Sequence, residues 1–170
     1  MAAVAAEIAL IRPHMVGLQE VTRVFEQFPS DTVLGNFEPN ATDEVVDFLD
    51  ELLAELARRG TPYEVAVEQL GADIELPRFD GVGDGNPSFS DVRTKFSDVI
   101  LRRADLETET LFAINYAGAL PIPPIPGASV PRNAVAVRAT VDGETFRFVS
   151  THLEPLVPGL PGDSQPTRYV

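Results

Sequence analysis

Residues Arg132 to Glu154 read RNAVAVRATVDGETFRFVSTHLE, two alternating β-branched runs on either side of Asp142-Gly143. An Asp-Gly pair between such runs supplies the positive φ angles of a type I′ turn and predicts a two-residue β-hairpin. This loop length fixes the register of the two strands and places Asn133 opposite His152. The predicted apolar face consists of Val135, Val137, Ala139, Phe146 and Phe148, with His152 at its end.

A second polar residue ends an apolar stripe in Met15–Glu20, which predicts a short strand with Val16, Leu18 and Glu20 on one face. An ionised carboxylate in that position either reaches solvent beyond the sheet or binds a cation. In the same way, His152 is either a core-edge histidine bonded to a nearby carbonyl or a catalytic or phosphate-binding group. The two strands alone leave both alternatives open.

Composition restricts the class of protein. The chain has 170 residues, 44% of them hydrophobic, which is enough for one domain with a core. Its net charge of −13 opposes generic coating of nucleic acid but allows a local site for one phosphate. No apolar run approaches the ~20 residues of a membrane span. The N-terminus shows no signal peptide, because it lacks a basic region and carries Glu7. Compartment and oligomeric state stay undetermined.

Periodicity and turn signals predict the remaining elements. The strongest helix is expected to begin at an N-cap on Asn40 and to run to Arg59, with Val45 on its apolar face. Asp80–Asn86 is interpreted as a flexible turn, the alternative being a Ca²⁺-binding loop, although it lacks the spacing and terminal glutamate of an EF-hand. Asp98 is interpreted as a residue at the entry of a strand. The other predicted elements are a helix over Ala2–Ile11, strands over Tyr63–Leu70, Ser97–Arg102 and Thr108–Tyr116, and proline-rich loops over Pro121–Pro131 and Pro155–Pro166.

Three of these segments, in this order, resemble motifs of the endonuclease/exonuclease/phosphatase superfamily of metal-dependent phosphoesterases. Val16-Gly-Leu-Gln-Glu20-Val is similar to the strand that carries the family's metal-binding glutamate. Asp98-Val-Ile-Leu-Arg-Arg-Ala-Asp105 resembles the strand in the middle of the domain. The hairpin that begins at Arg132 and ends in Thr-His152-Leu resembles the family's central hairpin.

The resemblance implies a deoxyribonuclease-like fold, a four-layer α/β sandwich with two mixed sheets face to face and helices outside. It implies that Glu20 binds Mg²⁺ (or Mn²⁺), that His152 is catalytic, and that Arg132 and Asn133 bind the substrate phosphate. The register places Arg132 on the face opposite His152, so only a bulge would turn Arg132 inward. Because Glu20 and His152 each end an apolar stripe that faces the opposite sheet, we expect both side chains to open into one cleft.

The implied activity is divalent-metal-dependent hydrolysis of a phosphate ester, with a nuclease-like phosphodiester reaction first. The alternatives are a phospholipid or inositol-phosphate hydrolase, or a non-catalytic binding module, so the partner is nucleic acid or a phospholipid head group. The family's upstream asparagine strand and its downstream Asp-x-Asn and Asp-His motifs have no counterpart here. Asp163–Val170 also resembles the start of a helix. We therefore expect residues 1–170 to be a single incomplete domain that is inactive alone.

Overall fold

The structure is a computed structural model that describes residues 1–122 and 129–153. Two sheets lie face to face, and a pair of helices covers the other face of the larger sheet. The elements are α1 (Ala2–Ile11), β1 (Met15–Gln27), a 3₁₀ turn (Thr32–Leu34), β2 (Asp43–Asp47), α2 (Phe48–Arg58), β3 (Tyr63–Gly83), β4 (Asn86–Arg103), β5 (Thr108–Pro121), β6 (Ser129–Val141) and β7 (Glu144–Thr151).

The four-stranded sheet has the order β2-β1-β4-β3 and the three-stranded sheet the order β5-β6-β7, with every described pairing antiparallel. The prediction of a four-layer α/β sandwich with mixed sheets and helices outside is therefore wrong: the described chain is mostly β, with two short helices. The physical reason is the connections. Tight turns join β3 to β4 and β6 to β7, and such turns can join only antiparallel neighbours, whereas parallel pairs need long crossovers.

Two apolar clusters hold the three layers together. Between the sheets, Met15, Val67 and Ile100 of the larger sheet pack against Val135 and Val137 of the smaller one. The two helices pack on the opposite face of the four-stranded sheet. Side chains alternate along each strand, so those next to the inter-sheet residues point toward the helices. The buried residues of this helix-facing cluster are Ala5, Ile8, Leu49, Leu52, Leu56, Tyr63, Val99 and Leu101.

The helix predicted from Asn40 begins later. Residues Asp43–Asp47 instead form β2 on the edge of the larger sheet, and Val45 is 56% exposed there rather than packed on a helix face. β-branched neighbours favour a strand. The N-cap is Asp47, whose carboxylate accepts the backbone N–H groups of Leu49 and Asp50 at 2.8 and 3.0 Å.

The segment Asp80–Asn86, interpreted from sequence as a flexible turn, belongs mostly to a long hairpin. β3 and β4 pair as far as Gly83 and Asn86, and positive φ angles of 49° at Asp84 and 80° at Gly85 close the turn. The strands predicted to end at Leu70, Arg102 and Tyr116 are longer in the structure, where they end at Gly83, Arg103 and Pro121. Much of Pro121–Pro131, all of Pro155–Pro166 and the helix start at Asp163–Val170 lie outside the described residues.

Neither helix in the described part of the chain has the length and apolar character needed to cross a bilayer.

Candidate functional site

A cleft of about 210 Å³ lies at one rim of the interface between the two sheets. Glu20 and Asp98 line it from the larger sheet, and Arg132, Asn133 and His152 line it from the smaller one. The structure thus brings together all four residues that the sequence selected, and it adds Asp98. Their chemical roles stay predictions at this point.

The hairpin that carries three of these residues has the predicted register. Val137 faces Phe148, and the N–H of His152 donates to the carbonyl of Asn133 at 3.1 Å, one step beyond the last ladder pair. The turn has φ angles of 52° at Asp142 and 85° at Gly143, as a type I′ turn requires. His152 therefore continues the face that packs against the larger sheet.

Glu20 reaches the cleft by a different route from the one predicted. Val16 and Leu18 pack toward the helices, so simple alternation would send Glu20 to that face as well. The pairing of β1 with β4 shifts between Leu18 and Val21, and Glu20 has a left-handed φ of 54°. This bulge turns the Glu20 side chain into the cleft at a backbone cost of about 1–2 kcal/mol.

Arg132 also turns inward, which a regular ladder would not allow. Opposite it, β5 carries extra residues: Asn115 pairs with Asn133, but the next pair joins Ala119 to Pro131. The irregularity reorients the strand there, and the Arg132 side chain is only 13% exposed. Its Nη1 lies 3.7 Å from Glu20 Oε1 and 3.5 Å from His152 Nδ1.

Both ring nitrogens of His152 lie near side chains of the cleft. Nε2 is 3.7 Å from Glu20 Oε1, and Nδ1 is 3.7 Å from Asp98 Oδ1. A core-edge histidine would instead bond a nearby carbonyl. The imidazole is 17% exposed, so a small ligand in the cleft could reach it.

Asp98 is the residue that the sequence analysis placed wrongly, as a strand-entry residue. It is 2% exposed, and it alternates with Ile100 onto the face between the sheets. Its Oδ1 accepts the backbone N–H of Glu20 at 3.2 Å, while its Oδ2 is buried without a hydrogen-bond partner in the described structure. Burial raises the pKa of this carboxyl, although the Glu20 N–H and the nearby charge of His152 oppose the rise. The alternation of Asp98 with Ile100 was the signal that could have revealed it.

Asn133 lies beneath the cleft rather than at its mouth. It is 3% exposed, and its carbonyl accepts both the N–H of His152 and the hydroxyl of Thr151, at 3.1 and 3.2 Å. Its side-chain Oδ1 has no partner among the described residues. Gly71 makes room for its amide, because a Cβ at Gly71 would lie 3.1 Å from Asn133 Nδ2.

A second group of acidic side chains lies elsewhere. Carboxylate oxygens of Asp31, Glu75 and Asp91 lie within 4.8 Å of one another and could hold a metal ion. Asp91 precedes Asp98 by seven positions on β4, roughly 23 Å along an extended strand. The sequence analysis missed this group, because its members come from three segments that no local motif connects.

Comparison of the chain with family models, with curated proteins and with solved structures finds no match.

Proposed function

We propose that the cleft binds a divalent cation together with a phosphate ester and that its chemistry is hydrolysis of a phosphodiester. The observation that carries the proposal is the meeting of three groups at one atom. Glu20 Oε1 lies 3.7 Å from the guanidinium of Arg132 and 3.7 Å from the imidazole of His152. The resemblance of the Glu20 and His152 strands to the phosphoesterase superfamily supports the same reading.

The oxygen atoms in the cleft fit Mg²⁺ or Mn²⁺. Asp98 Oδ2 and Asn133 Oδ1 are buried without hydrogen-bond partners in the described structure, and both residues line the cleft beside the Glu20 carboxylate. Hard divalent cations prefer such carboxylate and amide oxygens. Glu20, with the buried oxygens of Asp98 and Asn133 behind it, would hold the cation, and the cation would supply positive charge for phosphoryl oxygens and for activation of a water.

The side chains of the cleft have separate roles in this proposal. Arg132, with its planar set of N–H donors, binds non-bridging phosphate oxygens. His152 donates a hydrogen bond where negative charge develops on the phosphoryl group, and Asp98 near its Nδ1 orients the ring. Because Asn133 is almost fully buried, we assign its carbonyl to positioning His152 and its side-chain oxygen to the cation, rather than assigning the residue to contact with the phosphate.

The substrate class follows from size and charge. A cleft of about 210 Å³ suits one phosphate group with its immediate substituents. The net charge of −13 disfavours long polyanions, so a short phosphodiester or an exposed lipid phosphodiester fits better than extended nucleic acid. A non-catalytic phosphate-binding module is the competing function, and turnover separates the two.

The test measures binding directly. A thymidine dinucleotide is titrated with the protein in the presence of Mn²⁺, and paramagnetic broadening of its ³¹P signal reports a cation beside the phosphate. Glu20→Gln should abolish the protein-dependent broadening, because it removes the charge that holds the cation. His152→Ala should retain Mn²⁺ binding and weaken the diester contact.

Matched controls are Glu51→Gln on an exposed face of α2 and His14→Ala, the chain's other histidine, both expected to behave as wild type. Hydrolysis of bis(p-nitrophenyl) phosphate is followed on the same samples. Turnover that disappears in Glu20→Gln and falls by about 10²–10³ in His152→Ala assigns the reaction to the cleft. Binding without turnover supports the phosphate and cation site and refutes hydrolysis by residues 1–170 themselves, and absence of both refutes the proposal.

A further inference from the structure

The group formed by Asp31, Glu75 and Asp91 brings three separate parts of the fold together. Asp31 precedes the 3₁₀ turn in the loop after β1, Glu75 lies on β3 and Asp91 on β4. Glu75 is 5% exposed and Asp91 is fully buried. Three carboxylates in such a position repel one another unless a positive charge lies among them.

Glu75 has one oxygen that is fully used and one that is not. Its Oε2 accepts the backbone N–H groups of Asn40 and Ala41, each at 2.8 Å. Its Oε1 is buried and has no hydrogen-bond partner in the described structure. A buried acceptor without a partner costs about 1–3 kcal/mol, more when it carries charge, so this oxygen is available to bind a cation.

Asp31 resembles Glu75 in having one oxygen without a partner in the described part of the chain, whereas both oxygens of Asp91 accept hydrogen bonds. Asp91 accepts the Ser30 hydroxyl at 2.6 Å and the N–H groups of Asp31 and Thr32 at 2.8 and 3.2 Å. Asp31 Oδ2 accepts two asparagine amides, whereas its Oδ1 is buried without a partner among the described residues. Two unpartnered oxygens of adjacent carboxylates therefore lie within one small group.

One guanidinium, that of Arg93, lies beside this group. Arg93 lies opposite Glu75 in the β3–β4 ladder. Its Nε and Nη2 each bond Asp73 at 2.7 Å, and its Nη1 donates to the carbonyl of Ala41 at 3.2 Å. The hydrogen bonds of Arg93 go to Asp73 and Ala41, while its charge also interacts favourably with Glu75. One guanidinium that is held by Asp73 does not balance three further carboxylates.

We propose that Asp31, Glu75 and Asp91 bind a Ca²⁺ ion that fastens the loop around residues 30–41 to the β3–β4 hairpin. All three ligands are oxygens, as hard cations require. Oxygens that bind one Ca²⁺ at about 2.3–2.6 Å lie at most about 5.2 Å apart, and the three carboxylates offer oxygens within 4.8 Å of one another. Mg²⁺ needs shorter distances and usually keeps several waters with only one or two carboxylates.

The test compares thermal unfolding in EDTA and in Ca²⁺ for wild type and Glu75→Gln. In wild type, Ca²⁺ a hundredfold above its Kd should raise the Tm by roughly 5–10 °C. In Glu75→Gln, the amide oxygen keeps the two backbone N–H bonds and an NH₂ group replaces the unpartnered oxygen. This variant should lose the Ca²⁺ shift, yet unfold in EDTA at or above the wild-type Tm because one repelling charge is gone.

Two controls separate this site from the cleft and from general charge effects. Glu38→Gln removes an exposed carboxylate from the same loop and should keep the full Ca²⁺ shift. Glu20→Gln should keep it too, because Glu20 lies at the other site. Equal replacement of Ca²⁺ by Mg²⁺ at the same concentration refutes the choice of ion. The absence of any Ca²⁺ shift in wild type, or its persistence in Glu75→Gln, refutes the site.

Discussion

Gly17 of β1 lies against Ser150 of β7, and replacing it with alanine tests how the two sheets position the cleft. A Cβ at Gly17 would lie 2.9 Å from Ser150 Oγ, 3.2 Å from Ser150 Cβ and 3.5 Å from Phe148 Cε1. Rotation of the Ser150 hydroxyl would relieve the first contact but not the second. The strands must therefore separate, and with them Glu20 and His152, three and two residues further along.

The magnitude follows from two opposing effects. Inserting a methyl group into a packed interface costs about 1–3 kcal/mol. Alanine recovers about 0.5–1 kcal/mol relative to glycine within a strand, because the unfolded chain has less freedom to lose. The net destabilisation of Gly17→Ala is thus about 0–2.5 kcal/mol, or up to roughly 10 °C in Tm for a chain of this size.

A double-mutant cycle with Ser150→Gly isolates the contact. Urea unfolding of the four proteins should give a coupling free energy of about 1 kcal/mol, because Ser150→Gly removes both atoms that the new Cβ would meet. Gly83→Ala is the matched control, since a Cβ there meets nothing within 4 Å. The reasoning is refuted when Gly17→Ala is as harmless as Gly83→Ala, or when the coupling lies within about 0.3 kcal/mol of zero.

Two further predictions concern the helix layer. Asp47→Ala removes the N-cap of α2 and the 2.7 Å contact with Arg23, so urea unfolding should show a loss of about 1–3 kcal/mol, of which Asp47→Asn retains the capping part. Hydrogen bonds from Arg58 and then Arg59 lower the pKa of Glu55 to about 2. The ionised carboxylate therefore stabilises the fold above its unfolded pKa near 4.5, and this stabilisation is lost as the pH falls toward 2. Glu55→Gln should flatten acid unfolding in that window, and an unchanged pH profile would contradict the assignment.

The sequence predicted those parts of the fold in which a local signal and the tertiary structure agree. The hairpin around Asp142-Gly143 and the helix Ala2–Ile11 were correct because turn chemistry and a following proline fix them locally. The start of α2 was wrong because Asn40 and Asp47 are both capping residues, and pairing of β2 with β1 decides between them. Sheet order and the absence of mixed pairing depend on long-range contacts that no periodicity encodes.

In the candidate site, too, the sequence could place a residue only where a local signal determines its position. His152 was placed correctly because a two-residue turn propagates its register over the length of the hairpin. Arg132 could not be placed, since the irregularity that turns it inward lies in the opposite strand, β5. Asp31, Glu75 and Asp91 meet only because a loop folds back over a hairpin, and only coordinates reveal such a meeting.

At Glu20 a strained backbone and a buried acceptor without a partner in the described chain occur together. Regular alternation would have directed it with Val16 and Leu18 into the helix layer, where an ionised carboxylate has no favourable partner. The bulge and its left-handed φ turn Glu20 toward the cleft, and the N–H so exposed bonds Asp98 Oδ1. Asp98 in turn leaves its second oxygen buried and unpartnered beside His152 within the described structure. A strained backbone and a buried acceptor at the same point both cost stability, and a bound cation would offset both costs at once. Mg²⁺ or Mn²⁺ should therefore protect the amide of Glu20 from hydrogen exchange, and Glu75→Gln should retain this protection because Glu75 belongs to a separate site.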